Sequence, residues 1–290
     1  MIRRPVRRRR VPELSRLNPG AAAREMLNKV PQVTLLFWVT KILCTTVGET
    51  AADFLNTNLH LGLTGTTCVM GALLVIALIS QFRRRRYVPG VYWVSVVLIS
   101  VVGTLITDNL TDNLGVSLVV TTGVFAVALV LTFVAWYAKE KTLSVHTIVS
   151  VRREAFYWLA ILFTFALGTA AGDLTAEKSG LGYLRSALLF GGLLAVVAFA
   201  HFRWKLSATW SFWIAYILTR PLGASLGDYL SQPHDQGGLS LGTVVTSALF
   251  LTLILSLVLY LTLKPRQLVP VETGHKLRDQ AATSVPARRR

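Results

Sequence analysis

Four aspartates recur at one spacing in this 290-residue chain. Asp53, Asp108, Asp173 and Asp228 each lie fifteen residues after a tryptophan and five after a glycine. The tryptophans are Trp38, Trp93, Trp158 and Trp213, and the glycines are Gly48, Gly103, Gly168 and Gly223. On a straight helix an aspartate falls about 22 Å beyond its tryptophan, close to the far side of a membrane. Other acids gather at that level. Glu49 precedes Asp53 by four residues and Asp112 follows Asp108 by four, so each pair shares a helix face. Glu177 and Asp235 complete a set in which eight of the fourteen acids fall on one side.

Carboxylates with amide and hydroxyl oxygens nearby form a hard ligand set. Asn56, Asn58, Asn109, Asn113, Thr50, Thr107 and Ser225 supply the neutral oxygens. Such a set suits Mg²⁺, Mn²⁺ or Ca²⁺ better than Cu⁺ or Zn²⁺. A divalent cation would then be the substrate, and the sequence names no resident cofactor. Asp53, Asp108, Asp173 and Asp228 are the first candidate ligands, with Glu49 and Asp112 second. A structural alternative stands beside this: each aspartate could order the turn that follows it. Lys41 and Arg220 also lie within apolar stretches, and charges in a membrane need partners. Glu49 or Asp53 is the expected partner of Lys41, and Asp228 that of Arg220.

These residues need helices to hold them. Hydrophobic residues make up 53% of the chain and charged residues only 15%, with mean hydropathy +0.54. The apolar residues come in blocks long enough to cross a bilayer. Eight spans are expected, at about 31–55, 61–82, 90–110, 116–137, 154–174, 182–202, 208–230 and 239–263. The fold class is therefore an all-α polytopic membrane protein, with eight transmembrane helices as four parallel two-helix repeats. The repeats run at about 31–86, 87–151, 152–206 and 207–265, and the 31–265 membrane domain lies between basic tails at 1–30 and 266–290. The first tail is expected to be mostly disordered. Pro221 is expected to kink the seventh helix.

Net charge is +16, but 26 of the 30 Lys and Arg lie in alternate connections and the tails. That pattern is the positive-inside rule and argues against a nucleic-acid partner. It predicts a bacterial inner (plasma) membrane protein with both termini cytoplasmic. The bilayer is the expected partner, with anionic lipids along the basic tails and a homo-oligomer also open. Tryptophan at a helix entry reads as an interfacial anchor and packing residue, and mid-helix glycine as a point of close helix approach. Cys44 and Cys68 form no metal-type spacing, and no nucleophile, P-loop or paired-histidine motif is present. Enzyme activity is thus not expected.

The four tryptophans, one to each two-span unit over about residues 31–265, resemble a bacterial membrane-protein family of unknown function. Its members consist of four tandem repeats, each with two transmembrane segments and a signature tryptophan. The resemblance implies the architecture and brings no activity. From the acids, the expected function is a transporter or channel for a small cation, most plausibly divalent, such as Mn²⁺ or Mg²⁺. The alternative is a non-transporting membrane scaffold or envelope-stress partner with lipid-binding basic tails.

Overall fold

The computed structural model describes residues 28–58 and 61–263. Within them lie eight long helices: α1 (Leu35–Asn58), α2 (Gly62–Arg83), α3 (Pro89–Asp108), α4 (Leu118–Glu140), α5 (Val151–Asp173), α6 (Tyr183–Trp204), α7 (Ala208–Ser231) and α8 (Gly242–Leu263). Seven are long and apolar enough to cross a membrane. The eighth, α7, has 24 residues, enough length for a span, but carries Arg220, Asp228 and several hydroxyls. It tolerates this polarity because helices α1, α5, α6 and α8 pack around it. The chain is a multi-pass membrane protein.

The odd helices form a closed inner ring. Helix α1 packs on α3, α3 on α5, α5 on α7, and α7 returns to α1. The even helices lie outside. In the most apolar stretches of α1, α3 and α5, 61–67% of residues are buried, against 11–22% in α2, α4, α6 and α8. Apolar residues with no protein partner cover the outer ring, as lipid contact requires: Ile76, Val127, Val196 and Leu255 are all exposed.

The packing unit is offset by one helix from the sequence repeat. Helix α2 packs along α3 rather than α1, α4 along α5, α6 along α7, and α8 along α1. Short connections favour this at two places, since 84–88 joins α2 to α3 and 205–207 joins α6 to α7. The contact of α8 with α1 joins the last span to the first and closes the bundle.

Two details depart from the sequence expectation. Asn28, Lys29 and Val30 belong to the expected tail, yet all three are buried. The Lys29 ammonium donates to Glu154 Oε2 at 2.6 Å and to the Phe82 carbonyl at 3.1 Å, and Gln81 donates to Glu154 Oε1 at 3.0 Å. A buried charge persists only where it is paired, so this segment is anchored at the first turn of α5. Helix α7 stays helical on both sides of Pro221, the position where the sequence predicts a kink. Finally, π-helical turns Asn109–Asn113 and Leu174–Lys178 extend α3 and α5 directly beyond Asp108 and Asp173. The remainder of the two basic tails, and His60, lie outside the described residues.

Candidate cation site

Each inner helix turns one face to the centre of the ring, and residues four apart on that face form layers. Numbered from the tryptophan, the aspartates occupy position fifteen. Position eleven holds Glu49, Thr104, Thr169 and Ala224, and position seven holds Thr45, Ser100, Phe165 and Arg220. Every residue in the two deeper layers is buried. In the outermost layer Asp228 is buried, while Asp53, Asp108 and Asp173 are half-buried.

The tryptophan end is closed by an aromatic belt. The residue before each tryptophan is also aromatic: Phe37, Tyr92, Tyr157 and Phe212. Each touches the tryptophan of the next repeat. Ring centroids are 5.7 Å apart for Phe37–Trp93, 5.5 Å for Tyr92–Trp158, 6.2 Å for Tyr157–Trp213 and 5.6 Å for Phe212–Trp38. Eight rings thus pass a contact around the bundle and back to the start. Trp93, Trp158 and Trp213 are buried and Trp38 half-buried. Trp213 donates to the Leu143 carbonyl at 3.0 Å, and Trp93 to the Tyr87 hydroxyl at 3.1 Å. Burial puts three of the four indoles in the core, and two of those three have hydrogen-bond partners within the protein.

The glycines let the inner helices touch. A Cβ at Gly48 would overlap Ser100, one at Gly103 Phe165, one at Gly168 Arg220, and one at Gly223 Thr45. In every case the neighbour is the position-seven residue of the next repeat. Close approach in turn permits hydrogen bonds between inner helices. Thr107 donates to the Ala166 carbonyl at 3.1 Å, and Thr45 to the Thr219 carbonyl at 3.3 Å.

Arg220 fills the middle of the ring. Its guanidinium pairs with Glu49 Oε2 at 2.8 Å and donates to the hydroxyls of Thr104 and Thr169, the latter at 2.6 Å. One arginine therefore binds the position-eleven residue of all three other repeats. The fourth occupant of that layer, Ala224, leaves it room. Arg220 does not pair with Asp228, eight residues further along α7. That separation is about 12 Å along the helix, whereas Glu49 lies one layer away. Lys41 pairs with no acid among the described residues. It donates to the Tyr216 carbonyl at 2.8 Å and the Thr219 hydroxyl at 2.5 Å, and faces the rings of Tyr216 and Phe165 at 4.2 and 5.2 Å. Carbonyl dipole and ring quadrupole together offset part of its desolvation.

At the other end the acids converge. Carboxylate oxygens of Glu49, Asp173 and Asp228 lie within 4.8 Å of one another. Asp53 and Asp108 hold the same position in the outermost layer as Asp173 and Asp228. Asp112 and Glu177 lie outside the trio, both exposed, with Asp53 in range of each. A hard cation with oxygen ligands at about 2.3–2.6 Å could bridge carboxylates spaced like this. Most of the expected neutral oxygens are engaged elsewhere. Thr50 shares a 2.7 Å bond with Ser247, and Asn109 and Asn113 bond with Thr64 and Thr67 of α2. The Ser225 hydroxyl is buried one turn before Asp228, with no hydrogen-bond partner among the described residues. Asn58 lies in α1, and its side chain is outside the described residues.

The model of a repeat of unknown function (DUF347) matches four times, at residues 36–87, 91–142, 156–206 and 211–267. The chain belongs to this repeat family. No curated protein and no solved structure gave a match. Each match covers one inner helix and the outer helix that follows it in sequence, and the closed aromatic belt accounts physically for a tryptophan in every repeat of this DUF347 chain.

Sequence spacing alone missed several residues that build the site. Thr104 and Thr169 were legible as the column following each glycine, which reads Glu, Thr, Thr, Ala. The belt was legible as Phe-Trp, Tyr-Trp, Tyr-Trp and Phe-Trp pairs. Lys29 and Glu154 carried no signal, since nothing in the sequence links positions 125 apart.

Proposed function

We propose that this protein moves a small divalent cation, such as Mn²⁺ or Mg²⁺, across the membrane, with Glu49, Asp173 and Asp228 as its first binding site. The convergence of those three carboxylates at one end of a closed four-helix ring carries this reading. Isolated acids in a membrane are costly, and a trio of which only Glu49 has a basic partner draws a proton or a cation to offset its repulsion. Asp53 and Asp108 add field strength beside the trio, and Asp112 and Glu177 extend the negative rim. Beyond the site, Arg220, Phe165, Tyr216 and Lys41 fill the centre of the ring, so the conformation is closed toward the tryptophan end. The basic connections support a cytoplasmic position for that end and an outward acidic end, by the positive-inside rule, and this reading takes the membrane to be a bacterial plasma membrane. Anionic lipids are the natural partners of those connections.

The test is Mn²⁺ and Mg²⁺ flux into liposomes carrying the full chain. Asp173→Asn and Asp228→Asn should each lower flux at least tenfold, the scale expected for removing a charge partner in a desolvated site. Asp112→Asn should change it less than twofold. Absence of wild-type flux for either ion would leave the membrane-scaffold alternative in its place.

A further inference from the structure

Arg220 and a bound metal would compete for the same carboxylate. Glu49 is the member of the acidic trio that Arg220 also binds. One of its oxygens lies within 4.8 Å of oxygens from Asp173 and Asp228, while Oε2 accepts from Arg220 at 2.8 Å and from Thr104 at 3.2 Å. Asp228 is only 7% exposed, and its carboxylate has no hydrogen bond or ion pair among the described residues. A buried acid with no cation beside it is neutralised by a proton or by a bound cation. The charge present is one layer deeper, on a guanidinium with no exposure and an unpartnered Nε.

We infer that Arg220 is a tethered competing cation, and that its pairing with Glu49 and capture of a divalent ion by Glu49, Asp173 and Asp228 exclude one another. This rests on the cation-site reading above and assigns the selectivity of that site to a residue outside it. A metal that draws Glu49 outward removes the anionic partner of Arg220. The guanidinium is then left with the Thr104 and Thr169 hydroxyls and the Thr45 carbonyl, the last at 3.5 Å. A neutral set holds a buried guanidinium poorly, so the ring must loosen at position eleven. A monovalent ion offers one charge in exchange for the arginine's one, whereas a divalent ion offers two. The competition therefore favours divalent ions.

Mn²⁺ binding to the purified full chain in nanodiscs, measured by electron paramagnetic resonance of free Mn²⁺, tests this. Arg220→Gln should tighten Mn²⁺ binding about tenfold, within the usual range of coupling between two sites. Glu49→Gln should weaken it. The double variant should bind no more tightly than Glu49→Gln alone, because the competition needs Glu49. Arg220→Lys keeps the charge on a shorter side chain that reaches Glu49 less closely, so it should tighten binding by a smaller factor. It stands in if Arg220→Gln fails to fold. Unchanged or weaker binding in a folded Arg220 variant, with Asp228→Asn still abolishing it, overturns the competition and leaves the site intact. No Mn²⁺ binding by wild type or any variant overturns the site itself, and the competition with it.

Discussion

Phe212 of the last repeat lies against Trp38 of the first, with ring centroids 5.6 Å apart. The same contact links each earlier repeat to its successor, so four copies of one sequence unit become a closed object. Closure explains why the belt contacts stay within 5.5–6.2 Å all the way round.

The belt should contribute unequally to stability. Trp213 is buried and hydrogen-bonded to the Leu143 carbonyl, while Trp38 is half-buried. Trp213→Ala is expected to cost about 3–5 kcal/mol, the usual range for a large aromatic removed from a core. Trp38→Ala should cost clearly less. Thermal unfolding of the two variants in detergent checks the order.

Glycine substitutions should divide by position. Alanine at Gly48, Gly103, Gly168 or Gly223 meets the neighbouring helix and should destabilise by roughly 1–3 kcal/mol through overpacking. Gly71 in α2 and Gly123 in α4 have nothing within 4 Å of an added Cβ. There alanine should be neutral or stabilise by up to about 1 kcal/mol, through better helix propensity. The same melts would show it.

Lys29 and Glu154 form a buried pair at 2.6 Å that anchors the chain before α1 to the start of α5. Removing one partner strands the other, so Lys29→Met or Glu154→Gln should each cost about 3–5 kcal/mol. The double variant should cost less than the sum of the two, and a double-mutant cycle on unfolding free energies measures the difference.

Thiol labelling offers a direct check on the ring. Cys44 is fully buried on α1, and Cys68 is exposed on α2. A small maleimide in detergent should modify Cys68 readily. Cys44 should react only after unfolding, as followed by mass spectrometry.

The helices, their number and the recurring columns were legible in the chain alone. Lipid imposes long apolar spans, and a duplicated unit repeats its residues at constant spacing. Trp38, Gly48 and Asp53 could therefore be aligned with their counterparts before any coordinates, and so could the gathering of acids at one end. Partner choice could not. The sequence predicts Asp228 on the same helix as the partner of Arg220, yet Arg220 meets Glu49, which lies 171 residues away in the chain. Lys41 was assigned an acid and found a carbonyl and two rings instead. Helix α2 shares a sequence repeat with α1, yet it packs on α3. These outcomes depend on which small residues let helices touch and which buried charges then come within reach, and both are properties of helix pairs rather than of any one span. The sequence by itself determined a fourfold membrane bundle with an acidic end. Only tertiary structure decided that the bundle closes on itself, that Glu49, Asp173 and Asp228 meet, and that one arginine holds the centre.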